Sequence, residues 1–193
     1  MMGLPFEPKR VMALVGAAKN AGKTTALNWL TRRLHAEGRV VGVFSIGYDG
    51  EANDFWLGIE KPPVEVTPGT IVAGAERLIE KATARMTVLE RSAITSPLGA
   101  VVIARAETEG HVALAGLRYR ADWSWVRDRL LEAGANHVLI DGAYHRRALA
   151  DPTLADGVVL ATGAVLAKTV EGVGRATAKL VQVCGGALSA RCA

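Results

Sequence analysis

Aromatic side chains are scarce in this chain, at 5% of 193 residues, and there are only two cysteines, Cys184 and Cys192, both near the C-terminal end. Neither cysteine has CxxC spacing or a neighbouring histidine, so neither a disulfide scaffold nor a zinc site is expected to organise the fold. No uninterrupted apolar run reaches the roughly 18 residues of a membrane span, and the opening MMGLPFEPKR lacks the apolar core of a secretion signal. The expectation is a soluble, cytoplasmic protein with no membrane partner. The four histidines are dispersed, and neither HExxH nor GxSxG occurs. A zinc enzyme or a hydrolase triad would have to be assembled wholly from distant residues. Internal repeats and low-complexity segments are absent too. The positive excess is small, +4, and is spread along the chain. It suits an anionic small ligand, and without a clustered basic face no nucleic-acid partner is expected.

What is abundant is aliphatic: half of the residues are hydrophobic. Poor in aromatics, the core must be built of Ala, Val, Leu and Ile, the usual material of buried parallel strands. The length suits a single domain over 1–193 with a real core, with residues 1–9 as a short N-terminal arm and 184–193 as a flexible tail.

The stretch that organises the chain runs from Val11 to Trp29, VMALVGAAKNAGKTTALNW. An apolar strand ends at Gly16, a loop of small and polar residues follows to Gly22, and a helical period opens at Lys23. This is the layout of a phosphate-binding loop. Ala18, Lys19, Asn20, Ala21, Gly22, Lys23, Thr24 and Thr25 are the candidate nucleotide contacts. Backbone N–H groups cradle phosphate oxygens, the helix N-terminus adds partial positive charge, Lys23 reaches the terminal phosphates, and Thr24 holds Mg²⁺. One position departs from the pattern: the Gly expected six residues ahead of the lysine is Ala17. If Ala17 had to adopt a positive φ, the strain would be on the order of 1 kcal/mol. The bland alternative is an ordinary helix following an ordinary strand.

Helical period then predicts a helix from Thr24 to about Glu37, with Leu27, Leu30 and Leu34 inward and Gly38 as its stop, and Val40 to Ile46 reads as a second buried strand. That strand runs into Asp49, Glu51 and Asp54, where a carboxylate can reach the metal or orient attacking water; Asp49 is the candidate, against a solvated D-G turn. KPPVEVTPGT, residues 61–70, reads as a surface connection with a possible short strand. A strand at Ile71 to Ala73 and a helix from Gly74 to about Thr83 follow. Arg85 to Glu90, Val101 to Ala106 and His111 to Ala115 read as three strands, joined by the turns TSPLG and ETEG. A β-hairpin insertion around 84–116 is the expected consequence, in a mixed sheet. Asp122 reads as the cap of a helix carrying Trp123, Val126 and Leu130, so Trp123 belongs to an apolar stripe rather than to a stacking platform.

The second motif is Val138 to Gly142, VLIDG: an apolar strand ending in an aspartate, which can hold the Mg²⁺ shell opposite Thr24. Tyr144, His145, Arg146 and Arg147 follow at the same edge, open to phosphate, protein or solvent. Gly157 to Ala161 reads as another buried strand, ending at Thr162, and Lys168 to about Val183 as a closing helix. No N-K-x-D guanine reader occurs, which favours ATP over GTP.

The segments VGAAKNAGKTT, SIGYDGE, TSPLGAVVIARA, HVALAG, HVLIDGA and LATGAVL together resemble the small P-loop component of the lysine 5,6-aminomutase reactivating system, over most of residues 10–175. That resemblance implies a partner ATPase of the mismatch-repair kind and, as client, an adenosylcobalamin-dependent aminomutase. It also carries over Lys23 and Thr24 as nucleotide and metal contacts and Asp49 and Asp141 as metal-side carboxylates. More broadly the chain resembles the P-loop class of dethiobiotin synthetase and the molybdopterin-guanine dinucleotide B protein. Many of that class have a second lysine early in the loop; Lys19 sits one residue out of register with it, and reaching the site of a second copy in a homodimer is the role it could still play.

The combined expectation is a three-layer α/β P-loop NTPase fold that binds ATP and Mg²⁺ and hydrolyses ATP slowly or with a partner. Lys23 and Asp49 are its candidate catalytic residues, and Thr24, Asp49 and Asp141 its candidate metal ligands. A small-molecule kinase or ligase of the dethiobiotin synthetase type, and a degenerate P-loop scaffold without turnover, are the alternatives.

Overall fold

The computed structural model describes residues 10–46, 63–115, 117–142 and 153–183. Their order is β1 (Val11–Gly16), α1 (Lys23–Ala36), β2 (Val41–Ile46), β3 (Val64–Val66), β4 (Ile71–Ala75), α2 (Glu76–Ile79), β5 (Met86–Ser96), β6 (Gly99–Ala106), β7 (Gly110–Val112), α3 (Arg120–Glu132), β8 (His137–Gly142), β9 (Gly157–Ala161) and α4 (Val170–Val183). Seven strands form one mostly parallel sheet in the order β5-β6-β4-β2-β8-β1-β9. Neighbours from β4 to β9 run parallel, and β6 runs antiparallel to both β4 and β5.

Side chains alternate across the sheet, as strand geometry requires. Met12, Leu14, Val43, Val72, Val102, Ala104 and Leu139 pack on one face with Leu27, Leu30 and Leu34 of α1 and with Val64, Val66 and Val112 of a small β3–β7 ribbon. Val11, Ala13, Phe44, Ile71, Val101, Ile103, Val138 and Ile140 pack on the other with Trp123, Val126 and Leu130 of α3. Both faces of the central strands are therefore covered, and this explains why they read as continuous apolar runs. The β2–α3 contact is especially close: at Gly42, an added Cβ would stand 3.2 Å from that of Leu130. Among the described residues no helix is long and apolar enough to cross a membrane.

Four expectations need correction. ETEG does not turn a hairpin: β6 has β5 on one edge and β4 on the other, so no edge is left for β7, which crosses to pair antiparallel with β3. The first hairpin strand is longer than the propensity pattern, reaching Ser96 through two register shifts, and the turn falls at Pro97 and Leu98. The helix expected from Gly74 is the short α2, because β4 continues to Ala75. Asp122 lies inside the first turn of α3, whose cap position is Tyr119 with no side-chain cap.

Candidate functional site

Parallel strands bring their carboxyl ends to one edge of the sheet, where open α/β folds hold ligands. β1 ends there at Gly16, and the chain turns through 17–22 into α1. Ala17 N–H donates to the Ala161 carbonyl at the end of β9 (2.8 Å), and Ala21 N–H donates to Ala18 (3.3 Å). Two residues have positive φ, Asn20 at 62° and Gly22 at 87°, the latter at the N-cap of α1. The strain anticipated at Ala17 is thus absent; the left-handed position falls on asparagine, which tolerates it well. α1 has no side-chain cap and no acidic residue in its first turn. Among the described residues, the N–H groups of Ala18, Lys19, Asn20, Gly22, Lys23, Thr24 and Thr25 meet no acceptor. A turn of unpaired N–H groups at a helix N-terminus, with no acid competing for it, is a local positive potential.

The opposing charge comes from β8. This strand lies between β1 and β2, so Asp141 stands in register with Leu14 on one side and Ser45 on the other. Lys23 Nζ lies 2.9 Å from Asp141 Oδ1, and it donates to the Gly142 carbonyl. Asp141 Oδ1 is buried and, despite this ion pair, receives no directed hydrogen bond. A buried carboxylate oxygen with spare acceptor capacity, at the carboxyl edge of the sheet and beside Lys23 at the start of α1, is chemically suited to a hard divalent cation. No cluster of three or more His, Cys, Asp or Glu stands together among the described residues.

Compared with family models, with curated proteins and with solved structures, the chain matches none. The site therefore has to be read from its own geometry.

That geometry brings together Lys23 and Asp141, with Thr24 at the second position of α1. Lys19 is exposed and forms no ion pair among the described residues. Asp49, and with it Glu51, Asp54, Tyr144, His145, Arg146 and Arg147, lies outside the described residues. Three participants had no role assigned to them from the sequence. The Ala161 carbonyl anchors the turn through its backbone, which no side-chain pattern reveals. Gly142 meets Lys23 through its carbonyl. Asn28, one turn into α1, is buried; its amide donates to the Pro63 carbonyl (3.3 Å) and accepts from Glu65 N–H (3.1 Å), tying α1 to β3. An asparagine flanked by inward leucines on a helix was the available signal.

Proposed function

We propose that this chain is a cytoplasmic nucleotide-binding protein with the P-loop NTPase fold, taking ATP with Mg²⁺ at the turn between β1 and α1. The observation that carries the reading is the convergence of Lys23 and Asp141 beside a turn whose N–H groups, among the described residues, are mostly without an acceptor. In this reading the amides of residues 18–20 and 22–25 hold phosphate oxygens, Lys23 neutralises charge on the terminal phosphates, and Thr24 and Asp141 would hold the cation. When bound, Mg²⁺ would supply charge neutralisation of the triphosphate. Asp49 is the candidate for orienting water.

The family resemblance extends the proposal: a weak or partner-stimulated ATPase, the small component of a reactivating system for an adenosylcobalamin-dependent aminomutase, working with a mismatch-repair-like ATPase subunit. Removing the ammonium tests the core of it. Lys23→Ala is expected to weaken Mg·ATP binding by about tenfold or more in calorimetry, the scale of a lost charge-assisted contact. Unchanged affinity would sink the reading. Product analysis tests the rest: phosphate released without any metabolite supports the ATPase, and strict dependence on one metabolite would replace it with phosphoryl transfer of the dethiobiotin synthetase kind.

A further inference from the structure

Lys23 and Asp141 are each committed to the other. Their side chains are only 21% and 18% exposed, so the attraction is less screened than between surface charges. Lys23 is Asp141 Oδ1's charged partner, since that oxygen is buried and receives no directed hydrogen bond. On the nucleotide reading above, this ammonium must neutralise phosphate and this carboxylate must serve a cation. Neither can do so while paired.

We propose that the Lys23–Asp141 pair is an exchangeable interlock that makes the site accept a phosphate chain and a divalent cation together, as one chelate, and discriminate against either alone. The inference rests on the nucleotide reading. A phosphate chain arriving without metal draws Lys23 away and leaves the buried Asp141 Oδ1 without its cationic partner among the described residues, facing added negative charge. A cation arriving alone takes Asp141 but leaves the Lys23 ammonium facing it, with the Gly142 carbonyl as its remaining partner among the described residues. The chelate replaces both partners at once, and no buried charge is left uncompensated. Asp141 is then the residue that sets specificity for metal-chelated over free triphosphate, a role distinct from holding the cation.

Two measurements on the full chain test this. The first labels the ligand-free protein with acetic anhydride and reads each lysine by mass spectrometry, with exposed Lys19 on the same turn as internal reference. Lys23 is expected to label about fivefold or more slowly than Lys19, the size of a partly exposed ion pair, and Asp141→Asn is expected to remove most of that protection. The second measures ATP affinity in EDTA and in Mg²⁺. The native chain is expected to prefer Mg·ATP by about tenfold or more, whereas Asp141→Asn binds ATP in EDTA about fivefold more tightly than the native chain and loses most of the metal preference. Equal labelling of Lys23 and Lys19 in the native chain overturns the interlock, as does a variant that gains no metal-free affinity. The native-chain labelling needs no variant, so poor folding of Asp141→Asn leaves the test intact. A chain that binds no ATP in either buffer while Lys23 stays protected removes the nucleotide reading and the exchange with it, leaving the pair as a structural strut.

Discussion

His35 shows how a single side chain on α1 can couple stability to pH. Its Nε2 meets the Thr70 hydroxyl at 2.9 Å, and burial holds its pKa below the ordinary 6.5. Protonation is therefore easier in the unfolded chain. The stability that neutral His35 contributes is complete above about pH 6.5 and is lost as pH falls through the lower, folded-state value. Urea titrations across this range are expected to show that loss in the native chain and a flatter profile in His35→Gln. Asn28 makes a different point, because it satisfies one backbone acceptor and one backbone donor at once. Asn28→Ala leaves both without a partner and is expected to cost about 1–3 kcal/mol in denaturant unfolding. Lys23 and Asp141 could be singled out from the sequence, because a phosphate-loop site asks for a lysine and a carboxylate at those places, and the structure brings the two together. Asn28 was not singled out, since a polar residue within a helix has many innocent explanations.

Among the elements, the strands of the central sheet were the most legible. β1, β2 and β8 are buried runs ending at turn residues, and with β9 their observed bounds fall within a residue of those expected; β9, read from GVVLA as buried, is instead the edge strand of the sheet, with Val158 exposed. α1 was equally clear, since Leu27, Leu30 and Leu34 mark its inward face. β7 was legible as a strand and misleading in its partner, because pairing depends on which edges are already taken, a property of the whole sheet and not of ETEG. One contact shows how tightly that crossing is held. An added Cβ at Gly110 would press on the Ala84 backbone, with Cα at 2.8 Å, where Thr83 N–H donates to the His111 carbonyl (2.9 Å). Since the obstruction is main chain, Gly110→Ala is expected to destabilise by about 1–3 kcal/mol in chemical denaturation, with the damage confined to the β3–β7 ribbon in hydrogen exchange.

For the whole molecule, composition and apolar patterning were enough to anticipate a mixed, mostly parallel sheet with helices on both faces. The order of strands was not readable, because it follows from which long-range pairings close the sheet. The nucleotide reading also has a consequence at this scale. Mg·ATP at about one hundred times its dissociation constant stabilises the folded state by about 2.7 kcal/mol, so the melting temperature is expected to rise by about 5–10 °C in a thermal scan, against little change with Mg²⁺ alone. The placement of β8 between β1 and β2 has a further meaning for how the protein is made. The turn that carries Lys23 leaves the ribosome early, while Gly142, to which it donates, is 119 residues further on. Until that later stretch emerges, β1 and β2 cannot be joined by the strand that separates them, and domains with such distant pairings fold slowly and late. A chain cut short before β8 retains the Gly22–Thr25 turn in sequence yet lacks its partner, so competence at this site marks a protein whose synthesis has run past residue 142.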